Sequence, residues 1–222
     1  MVRASPLTRT SRPATLAVVL VTLAAAIVVS LGVPRVATAS PRAAIDPGRL
    51  PATSTRPSMT TGVRTVAHIL WRAIVNDNAP LAHQVFFPRT AYLRMKRGVL
   101  ANPAGDFDTR LLAFYELDLA AYHQRIAPGA RPVLVGVKAN PRDAAWIARG
   151  ACENVIGYWH LPGMRLVYRK GTKVFSVAVA SLISWRGVWY VVHLGPNPRA
   201  HNVGTVDDWR AGPGRAGPAG GC

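Results

Sequence analysis

Cys152-Glu153-Asn154, followed by Tyr158-Trp159-His160, is the densest set of reactive side chains in this 222-residue chain. A thiol, a carboxylate and an imidazole within nine residues are the parts of a nucleophile–base pair. Spacing argues against one. If Glu153 opens a strand, alternation puts Cys152, Asn154, Ile156, Tyr158 and His160 on one face. Eight residues at ~3.3 Å each then hold thiol and imidazole roughly 26 Å apart. Cys222 is the only other cysteine, and a bridge to it would staple only the far segment of the chain. A free, buried Cys152 is therefore the expectation.

A metal centre needs three or four convergent His, Cys or carboxylate groups. The six histidines (68, 83, 123, 160, 193 and 201) include no i,i+4 pair, and there is no Cys-x-x-Cys. His160 and His193 fall on different predicted strands, where they can meet across a sheet. The sequence predicts no metal and no cofactor.

Asp118 is the best-placed acid–base group. It lies three residues after Tyr115 and four before Tyr122, so all three can neighbour one another on a helix, with His123 alongside. A carboxylate buried among tyrosines has a raised pKa and can serve as a general base. The competing reading turns Asp118 to water or pairs it with Arg110 or Arg125. Aromatic residues supply the other candidates. Trp159, Trp185, Trp189 and Tyr158, with Trp146, Tyr168 and Tyr190, are numerous enough to line a ligand pocket or face a partner. At alternating strand positions the same rings make a core.

The periodicity around these residues changes once. Val63, Val66, Ala67, Leu70, Ala73 and Ile74 keep helical spacing from Thr61 to about Asp77. A shorter helix is predicted over Pro88–Arg97, and a third from Asp108, a plausible cap, to Ile126. Beyond Arg131 the pattern is strand-like: Pro132–Ala139, Val155–His160, Arg165–Arg169, Lys173–Trp185 and Val188–Leu194. Leu161-Pro162-Gly163, Lys170-Gly171-Thr172 and Arg186-Gly187 read as the turns between them. Helices followed by a meander make an α+β domain with helices packed on a curved antiparallel sheet.

This element order over Thr61–Leu194 resembles the NTF2-like (SnoaL-like) cone. The stretches Asn154–Gly163 and Ser181–Pro196 resemble those of a family of secreted or membrane-anchored actinobacterial proteins with such a domain. The resemblance implies location and a cone-shaped fold. In cones that act as isomerases or hydratases, an Asp/His or Tyr/Asp pair works inside the pocket. In single-span proteins bearing the domain, the sheet face or pocket mouth recruits a partner.

Location follows from the first residues. Thr15–Val33 is an uncharged, almost wholly apolar run of 19 behind Arg3, Arg9 and Arg12. At ~1.5 Å per residue it spans ~28 Å, about one hydrocarbon core, with the arginines held inside. It reads either as an uncleaved single-pass anchor or as a secretory signal cleaved after Ala37-Thr38-Ala39. Either way the rest lies outside the cytoplasm. The predicted organisation is a basic cytoplasmic segment 1–14, the span or signal 15–33, a disordered Pro/Ser/Thr linker 34–60, the domain 61–196, and a disordered Gly/Pro/Arg tail 197–222.

Charge points to the surroundings. The chain carries 27 Lys+Arg against 10 Asp+Glu, a formal +17. Outside a membrane, a field of that sign favours anionic wall polymers and acidic headgroups, and no nucleic acid is expected there. The sequence therefore points to a non-enzymatic binding or assembly accessory domain, anchored or secreted, with an envelope protein or wall polymer as partner. The alternative is a small-ligand-binding or isomerase/hydratase-type pocket built on Asp118, Tyr115 and Tyr122.

Overall fold

The computed structural model describes residues 45–217. The apolar run Thr15–Val33 and the second cysteine, Cys222, lie outside the described residues. Among the described residues, no helix is long and apolar enough to cross a membrane.

Helices come first. α1 (Thr61–Val75) buries Val63, Val66, Ala67, Leu70, Ala73 and Ile74, the stripe its 3–4 spacing predicts. It stops where Asn76 turns its side chain back on the Arg72 carbonyl and Asp77 takes a positive φ. α2 (Ala79–His83) starts at Asn78, whose side-chain oxygen accepts from the Leu81 N–H. α3 (Arg89–Met95) follows Pro88, and α4 (Pro103–Asp106) is capped by Asn102. A π-helical turn, Phe107–Leu112, then runs into α5 (Ala113–Ile126). Asp108, expected as a cap, instead takes two hydrogen bonds from the exposed Arg89 guanidinium.

The sheet is antiparallel. β1 (Val133–Lys138), β3 (Tyr158–Lys170), β4 (Lys173–Trp185) and β5 (Val188–His193) lie side by side in that order. β2 (Ala145–Ile147) also pairs with β3, and β6 (Arg210–Ala211) with β4. Trp185 pairs with Val188 across Arg186-Gly187, both at positive φ, as a two-residue hairpin turn of the primed type requires. The α+β class with helices and a curved antiparallel sheet is therefore what the chain adopts.

One predicted turn is absent. Leu161-Pro162-Gly163 does not separate two strands but lies inside β3, which runs unbroken for 13 residues. Proline is tolerated there because the outer neighbours of β3 leave a gap. β2 pairs with residues 158–160 and β1 with 165–169, so the missing N–H forfeits no ladder bond.

The two flanking segments also differ from expectation. The linker predicted as disordered over 34–60 is laid down on the domain from residue 45 onward. Three indoles hold it by its carbonyls: Trp185 donates to Pro47 at 2.8 Å, Trp159 to Ser54 at 3.0 Å and Trp189 to Ser58 at 3.2 Å. Arg94 donates to the carbonyls of Arg49 and Leu50, and Arg186 to that of Pro51. Prolines space these carbonyls in an extended chain that cannot pair with itself, and donors from the sheet and α3 take them up.

The tail predicted as disordered over 197–222 is likewise clasped as far as residue 217. Buried Arg165 donates to the Ser176 hydroxyl, the Asp208 carboxylate and the Arg215 carbonyl. Trp209 stacks on Phe175, donates to the Tyr168 hydroxyl and lies 3.8 Å under the Arg125 guanidinium. A low-complexity composition concealed a handful of anchors, each matched to a buried polar group.

Candidate ligand-binding cavity

The sequence-derived acid–base group has another task. Asp118 is buried and accepts from Arg199, from the Gly195 N–H at 2.9 Å and from the Thr205 N–H at 2.9 Å. Burial pushes its carboxyl up, while these three donors pull the other way. Tyr122 donates to the carbonyls of Ala178 and Leu194 and accepts from the Asp207 N–H. Tyr115 donates to the Ala82 carbonyl between α5 and α2. Desolvation raises both phenols well above their ordinary range. Asp118 and Tyr122 fasten residues 195–207 to α5, and Tyr115 locks α2. None of the three lines the cavity.

Of the aromatic candidates, Tyr158 lines the cavity, while the indoles of Trp159, Trp185 and Trp189 are spent on the segment 45–60.

The cavity lies between the helical layer and one end of the sheet and measures about 440 Å³. Pairing register builds its floor. His160 lies opposite Ile183, and Ser181 lies opposite both Pro162 and His193. Residues directly across a ladder point to the same side, so His160, Pro162, Ser181, Ile183 and His193 share one face. His160 Nε2 is 2.7 Å from Ser181 Oγ. An irregularity in the β4–β5 pairing between Ser181 and Leu182 offsets Val192 and brings His193 opposite Ser181.

The roof comes from α3 and the π-helical turn. Phe87, Tyr92, Met95 and Leu111 contribute rings and apolar chains; Lys96 and Arg110 contribute cations. A π turn adds a residue per turn and commonly marks functional sites. Here Arg110 and Leu111 from that turn meet the cavity. Arg110 is held rather than loose. It donates twice to Asp106 at 2.6 Å and once to the Tyr92 hydroxyl at 3.2 Å, while Tyr92 donates to Asp106. The Arg110 hydrogen bonds keep the Asp106 carboxyl below its usual range. Burial pushes the Tyr92 phenol up, and Asp106 pushes it further.

The remaining wall is the turn Ala151–Glu153, with Asn154 after it. Cys152 and Glu153 both stand at φ 55°, a conformation costly for side-chain-bearing residues, and Lys96 Nζ donates to both their carbonyls. Because this is a turn and not the start of a strand, Cys152 and His160 line one cavity instead of sitting at opposite ends of a strand. The expectation of a free, buried Cys152 also fails: the residue is half-buried and disulfide-bonded. A thiol–imidazole dyad is thereby unavailable.

The cavity is electropositive in a specific way. Desolvation, then Arg110, His160, Arg199 and Lys96, push the His193 pKa down to about 4, so its imidazole is neutral at pH 7. Burial lowers the Lys96 pKa. Lys96, Arg110 and a neutral His193 therefore face a space lined by both apolar and polar side chains, with Asp106 set behind Arg110. Among the described residues, no three His, Cys, Asp or Glu side chains gather as a metal cluster.

His160 and His193 were recognisable in the sequence as a pair able to meet. Tyr92, Lys96, Arg110 and Ser181 were missed, because each reaches the cavity through register or a π turn that no local pattern announces. Compared with known protein-family models, with curated proteins and with solved structures, the chain matches none.

Proposed function

We propose that this is a small-ligand-binding domain of NTF2-like cone shape, working outside the cytoplasm, whose cavity takes an anionic molecule with an apolar body. The observation that carries the reading is Lys96 and Arg110 facing a space of about 440 Å³ whose walls combine apolar side chains such as Phe87, Met95, Leu111 and Ile183 with polar ones. Ligand cavities of that size, with few convergent polar groups, bury most of a small ligand. Arg110 is positioned before any ligand arrives, because Asp106 and Tyr92 fix its plane. Preorganisation of that kind reduces the ordering cost of binding. His160 and His193, near Ser181, supply hydrogen-bonding capacity for a ligand's polar end.

The extracytoplasmic setting rests on the apolar run Thr15–Val33 and the charges before it. Membrane anchoring and release by cleavage both remain consistent with this function. A partner-recruiting role through Trp159, Trp185 and Trp189 is less well supported, since all three N–H groups already hold the chain's own segment 45–60.

Fluorescence titration with anilinonaphthalene sulfonate, an anionic amphiphile, tests the reading. The expected result is saturable one-site binding, weakened about tenfold by Lys96→Met and by Arg110→Met, since a charge-assisted hydrogen bond contributes about 1.5–3 kcal/mol. Absence of saturable binding, or affinity indifferent to both substitutions, overturns it.

A further inference from the structure

We propose that Ser181 and His160 form a nucleophile–base pair, and that the cavity hydrolyses esters whose acyl part carries an anionic group. The choice of substrate rests on the ligand-binding reading above; the pair itself does not. Ser181 Oγ and His160 Nε2 stand 2.7 Å apart, and both residues line the cavity. That separation falls inside the roughly 2.6–3.2 Å over which an imidazole takes a proton from a hydroxyl.

Strand register puts the two groups together. His160 pairs with Ala145 on β2 and with Ile183 on β4, so its backbone is held from both sides. Ser181 lies two residues before Ile183 and on the same face, the diagonal position that a long side chain such as imidazole reaches. On its other side Ser181 faces His193, next to the irregularity in the β4–β5 pairing. Bulges of this kind re-aim side chains beside active sites. β4 carries three serines, and two of them have structural tasks: Ser176 accepts from Arg165 and Ser184 from the Trp159 N–H. Only Ser181 of the three lines the cavity. Both members of the pair sit on laddered strands, which fix a reacting geometry better than loops do.

A lone pair of Ser181 Oγ attacks the ester carbonyl carbon while the hydroxyl proton passes to His160 Nε2. The bond to the leaving alkoxide breaks, and His160 gives it that proton, releasing an alcohol. Water then adds to the acyl ester on Ser181 and loses a proton to His160. The acyl–Oγ bond breaks, Ser181 recovers its proton from His160, and a carboxylic acid departs. His193, neutral at pH 7, keeps one ring N–H to offer the carbonyl oxygen as that oxygen gains charge. Lys96 and Arg110, cations of the same cavity, hold the anionic group of the acyl part.

A fluorophosphonate, which esterifies an activated serine with loss of fluoride, tests the full chain directly. It should tag tryptic peptide 174–186 on Ser181 and not on Ser176 or Ser184, and the tag should vanish in His160→Gln. This labelling decides the matter without requiring that any variant fold. The anionic ester para-nitrophenyl hemisuccinate should be hydrolysed at a rate that falls about 10²–10⁴-fold in Ser181→Ala and in His160→Gln. Lys96→Met should slow that ester about tenfold and spare the neutral para-nitrophenyl acetate. An untagged Ser181 overturns the proposal and leaves the pair a structural hydrogen bond. Ester turnover that is absent, or that survives Ser181→Ala, overturns it as well. The ligand-binding reading fails separately. If anilinonaphthalene sulfonate binds through Lys96 and Arg110 but Ser181 stays untagged, the site stands and the chemistry falls. If Ser181 is tagged and both esters are hydrolysed regardless of Lys96→Met, the pair stands and the anionic substrate falls.

Discussion

The Asp118 carboxylate and the Arg199 guanidinium, 81 residues apart in sequence, form an ion pair with both side chains at most 4% exposed. The pair joins α5 to the segment after β5, and two backbone N–H groups complete the shell of Asp118. Glycine is required beside it: a Cβ at Gly195 would lie 2.3 Å from the Thr205 carbonyl oxygen and 2.8 Å from Asp118 Oδ2. Breaking one side of such a buried pair leaves the other charge without compensation. Asp118→Ala should therefore cost about 3–5 kcal/mol in urea unfolding. In a double-mutant cycle, adding Arg199→Ala should cost far less than that change does alone.

Tyr115 offers a separate test of what α5 does. Its hydroxyl donates to the Ala82 carbonyl in the core, and the residue does not line the cavity. Tyr115→Phe should lower stability by about 1 kcal/mol and leave probe affinity unchanged. A substantial loss of affinity would return α5 to the binding machinery.

His193 makes stability depend on pH. Its folded pKa of about 4 lies below the ordinary imidazole value of 6.5. As pH falls through about 6.5 the unfolded chain takes up a proton that the folded one refuses, so stability drops until pH reaches about 4. The loss should amount to roughly 2–3 kcal/mol. Urea midpoints at pH 7 and near pH 4.5 measure it, and His193→Gln should flatten the slope over that window.

The strap over residues 45–60 predicts a protease phenotype. Trp185→Phe and Trp189→Phe keep the rings but delete the N–H groups that hold Pro47 and Ser58. The double variant should be cleaved by trypsin after Arg49 several-fold faster than the parent, while the core beyond Thr61 survives. Unchanged cleavage rates would mean that the indoles do not hold the segment.

How much of this was written in the sequence depends on the range of the interaction. β4 was legible end to end, because its β-branched run is bounded by Gly171-Thr172 and Arg186-Gly187, and turn chemistry is local. α1 was legible for the same reason, its stripe being a property of 15 consecutive residues. Pro162 misled, since its acceptance inside β3 depends on where β1 and β2 stop, which lies in other parts of the chain. Asp118 misled in a related way. A carboxylate flanked by tyrosines has the same local pattern whether it faces a substrate or a guanidinium far along the chain. The cavity itself combines two strand registers, a π turn and a left-handed turn, and only Cys152, Asn154, Tyr158, His160 and His193 hinted at it.

The strap also sets how force would enter the domain. Indoles grip residues 47, 54 and 58 in succession. A pull applied ahead of residue 45 would first load the cluster at residues 46–51, held by Thr90, Arg94, Arg186 and Trp185 together, and then the contacts at residues 54 and 58. Strain entering from that side would thus be taken up at the periphery before it reaches α1 and the sheet.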